Sequence, residues 1–528
     1  MKCNNVRLDA LKGEGIELFA YQAFWELAHQ LVVQNNYRII QISEDQRELW
    51  LENRSDKNVQ VVRLLQYDLD WANWMARDIE DIIRKMDRVR KHITRRKITV
   101  ANVYVSTYPP VDDWEHLIEK SQSYGPNEQV KMQSFVLDEQ NSSLSSLSHY
   151  FDKSITLQFD RQGDLTEGDR YKYATLKVAA DNAKFEKKVF QQSKRPFFTF
   201  FFIILQVLMF LVVEWYGSST DVATLISFGA KYNPFILAGE WWRFFTPIIL
   251  HITFLHLFMN TLALFYLGIA VEKLYGNGRF LFIYLLAGFT GSVASFLFSP
   301  VVSAGASGAI YGLFGALLYF GVVYPSLFFR TMGLNLFFIL GINLVFGLVV
   351  PVVDNAGHLG GLVGGFLASA IVSLPKKSYK ARQVTAFLMT IALISGSIWY
   401  GFTNKQASDW REVAQIAQEY ANNRQYEQAH KIINAQMPLS ASDDRLFMMR
   451  GVVFIQEGQY DSAIIALQKA IELNNTMHEV YFYLAQLYAE KNELNKAIEY
   501  VETAITLDPK NTDYKELLER IKEYMRGS

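Results

Sequence analysis

The distribution of apolar and charged residues divides the 528-residue chain into three parts. Residues 1–195 and 404–528 carry most of the charged side chains, whereas the middle is rich in Phe, Leu, Gly and Ile. The middle contains seven apolar runs, each close to the roughly 20 residues that a helix needs to cross a bilayer. These runs are residues 197–213, 248–270, 280–298, 306–323, 333–353, 356–374 and 384–402. The pattern predicts a polytopic α-helical membrane protein with a soluble region before and after the spans.

The first part shows the two periodicities that are typical of an α+β domain. Apolar residues at helical spacing predict helices over 16–34 and 71–93, and residues 171–192 look like a charged helix that runs into the membrane. Alternating residues predict a hairpin over 37–53 and strands over 59–66 and 98–107. Residues 120–155 are rich in Ser, Gln and Asn, which indicates that this segment contains a loop. We therefore expect residues 1–195 to form a soluble α+β domain.

The last part contains an internal repeat with a period of 34 residues. Small residues recur at this spacing, in the two series Ala417, Gly451, Ala485 and Ala429, Ala463, Ala497. Thirty-four residues is the period of tetratricopeptide repeats, in which each unit consists of two antiparallel helices. The segment 497–509 resembles the second helix of such a repeat with its terminating proline. We predict an all-α solenoid of about three repeats and a capping helix from Tyr514, which offers a surface for protein partners.

Composition and charge exclude several classes of function. The net charge is −1, which does not support nucleic-acid binding as the main role. Cys3 is the only cysteine, so an intramolecular disulfide and a structural zinc site built from cysteines are excluded. The N-terminal residues lack the apolar segment of a signal peptide, so we expect an internal span to direct insertion into the membrane.

Clusters of Lys and Arg predict the orientation of the spans. One cluster precedes the first span, and others follow the second, fourth and sixth spans. Positive residues concentrate on the cytoplasmic side of membrane proteins. The residues are Lys184, Lys187, Lys188, Lys194, Arg195, Lys273, Arg279, Arg330, Lys376, Lys377, Lys380 and Arg382. We therefore predict a multi-pass protein of the cell membrane with its N-terminus in the cytoplasm and residues 404–528 outside it.

Two polar side chains lie inside apolar runs, where such groups are costly to bury and usually have a function. Ser307 stands in the sequence Gly-Ala-Ser-Gly, and His358 stands in a glycine-rich run. A Ser with small neighbours and a distant His are the minimum for nucleophilic acyl transfer. The alternative for Ser307 is a seam of small residues for helix packing, because Gly308, Gly312 and Gly315 share one helix face.

A second polar cluster lies at the start of the second run. His256 and Asn260 are four residues apart and share one helix face, from which both can donate hydrogen bonds to an oxyanion beside the Ser307 N–H. A zinc site formed by His251, His256 and His358 is the alternative. The sequence lacks the His-Glu-x-x-His arrangement of zinc proteases, and no carboxylate base lies nearby at membrane depth.

Two residues are candidates for orienting His358. Asp354 lies one turn before His358 and is either a triad acid or a carboxylate of an interfacial loop. Tyr311 lies one turn after Ser307 in the same run, and it is the orienting group that we favour.

The middle of the chain, from about residue 197 to residue 374, resembles the rhomboid family of intramembrane serine proteases. Five segments match the motifs of that family in the same order. They are Gly239–Arg243 with Thr246-Pro247, His251–Asn260, Ala270–Lys273, Gly305–Gly312 and Gly357–Gly361. The soluble regions at both ends resemble the subgroup of Gram-positive bacteria with a cytoplasmic N-terminal domain and C-terminal tetratricopeptide repeats.

The resemblance implies a role for each matching residue. Ser307 would be the nucleophile and His358 its base, in a dyad without an acid. Tyr311 would pack on the His358 ring, while His256, Asn260 and the Ser307 N–H would form the oxyanion hole. No cofactor or metal would be needed.

The resemblance also implies supporting residues and a domain layout. His251 would help to form the polar cavity that supplies water, and Trp242 and Arg243 would be structural residues of a loop in the membrane interface. The chain would consist of an N-terminal domain (1–195), a six-span core (196–375), a seventh span (376–403) and a repeat domain (404–528).

These observations favour an enzyme, a serine endopeptidase that cleaves transmembrane segments of other membrane proteins near the outer face of the bilayer. Its partners would be such substrates, the lipid bilayer and proteins bound by the repeats, and it would serve in membrane-protein regulation or quality control. A non-enzymatic adaptor that captures clients is the second hypothesis. A transporter is the third, and it would require inverted repeats that the sequence lacks.

Overall fold

The structure of the chain is a computed structural model, and it consists of two compact units, Met1–Val189 and Phe190–Ser528. The structure describes residues 19–93, 97–125, 127–139, 143–157, 165–193, 195–350, 353–375, 380–404, 410–439 and 443–527. Cys3, Lys194, Lys376, Lys377 and the predicted helix start at Ile16 lie outside these ranges. The first unit contains helices and a mixed β-sheet, as the α+β prediction requires, and the second contains the apolar helices and the repeats.

The first unit is built around a six-stranded sheet with the order β1-β2-β3-β4-β6-β5. Its strands are β1 (Arg38–Ile42), β2 (Glu48–Glu52), β3 (Val61–Gln66), β4 (Ile98–Val105), β5 (Gln122–Tyr124) and β6 (Val130–Leu137). Its helices are α1 (19–29, continued by a π turn over Gln30–Gln34), α2 (Ala72–Ile93), α3 (Glu115–Ile118), α4 (Leu144–Phe151) and α5 (Leu165–Phe190). The predicted hairpin is formed by β1 and β2, which pair antiparallel.

The sequence analysis identifies no strand within residues 120–155, but the structure contains one. β6 lies inside this segment and pairs in parallel with β4 along its whole length. Its apolar side chains enter two cores, since Phe135 packs on the face of the sheet that α1 covers and Val136 on the face that α2 covers. A polar composition before and after β6 hid a strand whose burial depends on a partner far away in sequence.

The second unit contains the apolar helices. Five of the described helices are long and apolar enough to cross a membrane, namely Phe197–Tyr216, Phe254–Tyr275, Asn277–Phe298, Asn355–Val372 and Lys380–Thr403. A sixth candidate is the pair Pro325–Thr331 and Gly333–Val349, which is bent by 70°, and Ser307–Val323 is a shorter apolar helix of 17 residues. We label them α6 (Phe197–Tyr216), α9 (Phe254–Ala263) with α10 (Ile269–Tyr275), α11 (Asn277–Phe298), α12 (Ser307–Val323), α13 and α14 (the bent pair), α15 (Asn355–Val372) and α16 (Lys380–Thr403). The short helices α7 (Val222–Ser227) and α8 (Asn233–Leu237) lie between α6 and α9. Each predicted run therefore corresponds to one helical segment.

The second span starts later than its apolar run predicts, at Phe254 instead of residue 248. Residues Thr246–Ile249 form a short 3₁₀ turn, and Thr253 then caps the helix by accepting a hydrogen bond from the His256 N–H at 3.1 Å. A hydroxyl at this position satisfies a backbone donor that the first turn leaves open. Hydropathy alone cannot locate this cap, because the residues before it are equally apolar.

The buried carboxylate of Glu272 fixes the other end of the bundle. It accepts hydrogen bonds from the backbone N–H groups of Phe198 and Thr199, both at 2.8 Å, at the start of α6. Open N–H groups at a helix start carry a partial positive charge, so a carboxylate there is stabilised even when it is fully buried. The first span is thereby anchored to the end of the second span.

The repeats form consecutive helical pairs in the same unit. They are α17 (Trp410–Asn422), α18 (Tyr426–Gln436), α19 (Asp444–Glu457), α20 (Tyr460–Leu473), α21 (His478–Glu490), α22 (Leu494–Leu507) and the final helix α23 (Thr512–Gly527). Ala429, Ala463 and Ala497 are fully buried where the helices of each pair cross, as the period of 34 residues predicts. The all-α repeat architecture is confirmed.

Candidate active site

Glycine residues bring the helices of Ser307 and His358 into backbone contact. A Cβ atom at Gly361 of α15 would lie 1.9 Å from the Gly308 carbonyl oxygen of α12, and one at Gly365 would lie 2.0 Å from that of Gly312. No side chain fits at these distances, so only glycine permits this packing. The seam of small residues and the catalytic interpretation of Ser307 are therefore compatible, because the seam holds the two side chains together.

Ser307 and His358 form a hydrogen-bonded pair at the starts of their helices. The Ser307 Oγ and the His358 Nε2 are 2.8 Å apart, although the residues are 51 positions apart in sequence. The Tyr311 ring stacks on the His358 ring, with centroids 4.2 Å apart and planes inclined by 13°. This stacking restricts rotation of the imidazole, so that its Nε2 stays directed at the hydroxyl.

Asp354 caps the helix that carries His358. Its Oδ1 accepts a hydrogen bond from the Gly357 N–H at 2.9 Å, and its Oδ2 accepts one from the Ser295 hydroxyl of α11. The His358 N–H donates to the backbone oxygen of Asp354 at 3.0 Å. The carboxylate thus binds the backbone and a neighbouring helix, which fits the loop-carboxylate interpretation better than that of a triad acid.

His256 lies next to the segment that precedes Ser307. Gly305 adopts a φ of +148°, and a Cβ there would lie 2.8 Å from the His256 Cε1 and 3.8 Å from the Ser307 Oγ. The Asn260 amide is buried on the same helix face and donates to the His256 carbonyl at 3.1 Å. The His251 ring is buried, and its centroid lies 5.3 Å from the centroid of the His256 ring. In the described part of the chain, no group of three or more His, Cys, Asp or Glu residues is placed to hold a metal ion.

Arg243 stabilises the loop between the first two spans through its hydrogen bonds. Its Nη1 donates to the carbonyl oxygens of Ile226 and Ala230, both at 2.8 Å, and its Nε donates to Glu240 at 2.7 Å. The guanidinium is buried, whereas the Trp242 side chain is 44% exposed. Buried carbonyl groups need such donors, so Arg243 holds the loop in shape.

Comparison with known proteins adds an independent line of evidence. Residues 238–375 match the family model of the Rhomboid domain, and residues 454–521 match a Tetratricopeptide repeat model. The chain is 40% identical over 502 residues to "Rhomboid protease GluP" of Bacillus subtilis (strain 168). The aligned region covers 94% of this chain and 98% of that protein. The chain belongs to the rhomboid protease family. It is a multi-pass membrane protein with C-terminal tetratricopeptide repeats.

Other relatives share shorter stretches with this rhomboid. It is 36% identical over 140 residues to "Putative rhomboid protease YdcA" of Bacillus subtilis (strain 168), across 26% of this chain and 70% of that protein. Among solved structures, the Yersinia enterocolitica type III secretion chaperone SycD is similar over 22% of this chain and 94% of its own length, with 26% identity and a TM-score of 0.20.

The sequence did not reveal two residues that shape this rhomboid's site. Ser295 binds Asp354 from another helix, and nothing in its own surroundings in the sequence marks it. Lys231 is buried in the loop and donates from its Nζ to the carbonyl oxygens of Ser299 at 2.5 Å and Val301 at 2.9 Å. A lone Lys in an apolar stretch was the available signal, because a charge there requires partners.

Proposed function

We propose that this rhomboid is an intramembrane serine endopeptidase in which Ser307 is the nucleophile and His358 is its base. The observation that carries the proposal is the 2.8 Å contact between the Ser307 Oγ and the His358 Nε2. A nucleophile and a base within hydrogen-bond reach, with the base held by a third group, are the signature of covalent catalysis. Here Tyr311 is the holding group.

The reaction proceeds through an acyl-enzyme. The Ser307 oxygen attacks the carbonyl carbon of the scissile bond while its proton passes to the His358 Nε2. The tetrahedral intermediate collapses when His358 returns that proton to the leaving amine, which leaves an ester on Ser307. Water then attacks the ester with His358 as base again, and the carboxylate product and free Ser307 are released.

The negative charge that develops on the substrate oxygen requires donors. We assign this role to the Ser307 backbone N–H and to the side chains of His256 and Asn260, because His256 adjoins Gly305, two residues before Ser307. The Asn260 amide donates to a carbonyl of its own helix, which fixes its orientation. Donors that are already oriented cost no reorganisation when the charge appears.

The substrates are transmembrane segments of other membrane proteins. A stable helix keeps its carbonyl groups in internal hydrogen bonds, so a substrate must unwind locally before Ser307 can attack it. Segments with helix-destabilising residues would therefore be cut preferentially. Ser307 and His358 both lie at the first turn of their helices, so cleavage would occur near one face of the membrane.

The orientation that we propose places the N-terminus in the cytoplasm and the repeats outside. The first span begins at Phe197, and the backbone N–H of nearby Gln192 bonds to Lys273 at the end of the second span. The repeats contact the loop after the first span instead, where Tyr420 bonds to Ala223. The two contacts therefore lie at opposite ends of α6, which supports an orientation with the start of the first span and the repeats at opposite faces of the membrane. Proteins bound by the repeats would then meet the enzyme outside the cell.

The test uses the full-length protein reconstituted in liposomes with a substrate whose single span carries helix-destabilising residues. Ser307→Ala and His358→Ala should each abolish cleavage while insertion stays intact. Because the two residues act as one unit, the double variant should be no worse than either single variant. Appreciable cleavage by Ser307→Ala would refute the serine mechanism.

A further inference from the structure

The first repeat and the loop between the first two spans share one hydrophobic core. The loop, residues 217–253, contains the short helices α7 (Val222–Ser227) and α8 (Asn233–Leu237). Its apolar side chains pack against those of α17 and α18, and the six central ones are Ile226, Tyr232, Phe235, Ile416, Tyr420 and Ile432. Ile226 and Tyr232 are 0% exposed. Side chains of a loop reach this degree of burial only when another element covers the loop. Burial of apolar side chains from both segments stabilises the contact between them.

Polar contacts tie the same surfaces together. The Tyr420 hydroxyl donates to the Ala223 carbonyl at 2.7 Å in a buried position. The Lys431 Nζ lies 2.7 Å from Oε1 of Glu240, whose other oxygen, Oε2, accepts from Arg243 at 2.7 Å. The charged groups of Lys431 and Arg243 also lie 4.8 Å and 4.9 Å from the ring centre of Phe235. One carboxylate and one aromatic ring therefore each contact a cation of the repeats and a cation of the loop.

The electrostatics of Glu240 agree with this arrangement. Burial opposes its ionisation, but the hydrogen bond with Lys431 and the charge of Arg243 hold the pKa of Glu240 below its ordinary value. Removal of Lys431 would leave a largely buried carboxylate with one cation instead of two. Such a group is costly, and the structure around it would have to adjust.

The loop in turn holds the segment that ends at Ser307. Lys231 and Ser303 pair through their backbones, with hydrogen bonds of 2.9 Å and 3.0 Å. The Gly305 N–H donates to the Pro247 carbonyl at 2.9 Å. Gly305 also contacts His256, so the position of the loop determines how this segment lies against the proposed oxyanion donors. A continuous series of packed contacts thus leads from Lys431 to Ser307.

We infer that α17 and α18 are an integral part of the protease, and that Lys431 is a positioning residue that acts through Glu240 and Arg243 on the segment before Ser307. This inference rests on the proposed function of Ser307. The repeats are then a body fixed to the loop instead of a freely tethered module. A protein that binds the repeats and shifts α18 would change the rate of the chemical step, besides any effect on substrate capture.

A cleavage experiment tests the shared core without any need for activity. The recognition sequence of a specific protease is inserted between Asn404 and Trp410 of the full chain, and the purified protein is cut in mild detergent. At pH 6, we expect the fragment that starts at residue 410 to remain bound to the membrane fragment during purification through an N-terminal tag, and to separate only in denaturant. Separation in mild detergent at pH 6 would overturn the inference.

Charge reversal tests the role of Lys431. Lys431→Glu places a like charge next to Glu240, whereas Lys491→Glu is the matched control, because Lys491 pairs at 2.5 Å with Asp461 within the repeats. We expect Lys431→Glu to lower kcat by roughly 2- to 30-fold, the range of effects seen along such contact networks. Labelling of Ser307 by a small fluorophosphonate should slow in parallel. Lys431→Arg should restore both rates, and Lys491→Glu should match the wild type.

The outcomes separate this inference from the proposed function. If Lys431→Glu raises only KM, or matches Lys491→Glu in kcat and labelling, Lys431 is not a positioning residue. If the wild-type protein neither cleaves nor reacts with fluorophosphonate, the proposed function fails. The retention of the repeats after cutting still shows whether the repeats and the loop share one core.

Discussion

Asp354 and His358 lie one helical turn apart and bind different groups. The carboxylate of Asp354 is engaged with Gly357 and Ser295 at the helix start, which satisfies a charge that would otherwise be costly at this depth. The Nε2 of His358 is directed at Ser307 instead. At the scale of single residues, the site therefore separates the group that stabilises the helix from the group that we propose as base.

The proposed oxyanion donors provide the first prediction. His256→Ala and Asn260→Ala should slow cleavage without abolishing it, because the remaining donors still bind the oxyanion. Loss of one such donor typically costs on the order of 10²-fold in rate, or about 3 kcal/mol. The measurement is kcat for a reconstituted substrate. If chelators abolished the activity and zinc restored it, the oxyanion assignment would have to be replaced by a metal site.

Most candidate site residues could be selected from the sequence because polar and ionisable side chains are rare at membrane depth. Ser307 and His358 stand out as polar groups in apolar runs, and His256 and Asn260 stand out by their spacing of four. The close contact of His256 with Gly305 could not be foreseen, since it depends on how two distant segments pack. Spacing along one helix is local information, whereas packing between helices is not.

At the scale of elements, contact between the glycines of α12 and α15 holds the site together. Replacing Gly361 by Ala would place a methyl group 1.9 Å from the Gly308 carbonyl oxygen, so the helices would have to separate. Any separation lengthens the distance from Ser307 to His358, and misplacement by about 1 Å can cost roughly 10²-fold in rate. We expect Gly361→Ala to lose most activity.

Gly341 of α14 provides the control for this prediction, because a Cβ there meets nothing within 4 Å. Gly341→Ala should cleave at the wild-type rate and insert normally. Both variants should be compared in the same liposomes. Full activity of Gly361→Ala would show that backbone contact in the seam is not required.

The helices and repeats were accessible from sequence because their signals are periodic and long. The missed β6 lies among Ser and Gln residues and is buried by its pairing with β4, which begins more than thirty residues earlier. The contact between Lys431 and Glu240 was missed for a similar reason, since it joins residues of two elements that the sequence separates by six spans. Long-range pairing is the information that local patterns lack.

At the scale of the whole molecule, a pair of carboxyl groups makes the contact between the loop and the repeats sensitive to pH. Burial and the hydrogen bond to Asp221 raise the pKa of Glu419 to about 7. Asp221, which caps α7, keeps its pKa below the ordinary value through its hydrogen bonds. A raised pKa contributes stability that is fully present below the ordinary carboxyl pKa and is lost as the pH rises through about 7.

We therefore expect the repeats of the cut protein to be retained on the core less tightly as the pH rises through 7. Glu419→Gln keeps a group that can donate to Asp221 at every pH and should remove this dependence. The measurement is the fraction of repeats retained in mild detergent between pH 5 and pH 9. The same pH profile for wild type and variant would exclude Glu419 as the source. Tyr420, Glu240 and Arg243 also adjoin this contact, and they remain unchanged in the variant.

The proposed orientation gives a prediction for intact cells. Protease added to protoplasts should remove the repeats and spare residues 1–195, because only the region after the seventh span would lie outside. An antibody tag at each terminus reports the result. Loss of the N-terminal tag with retention of the C-terminal tag would reverse the orientation.

The most direct test of the account is the covalent labelling of Ser307 itself. The wild-type protein in membranes is treated with a fluorophosphonate, and the modified peptide is identified by mass spectrometry. We predict a single adduct on Ser307 that is lost in Ser307→Ala and strongly reduced in His358→Ala, since the hydroxyl needs its base to react. Labelling of another residue, or equal labelling of His358→Ala, would contradict the proposal that Ser307 and His358 act as a catalytic pair.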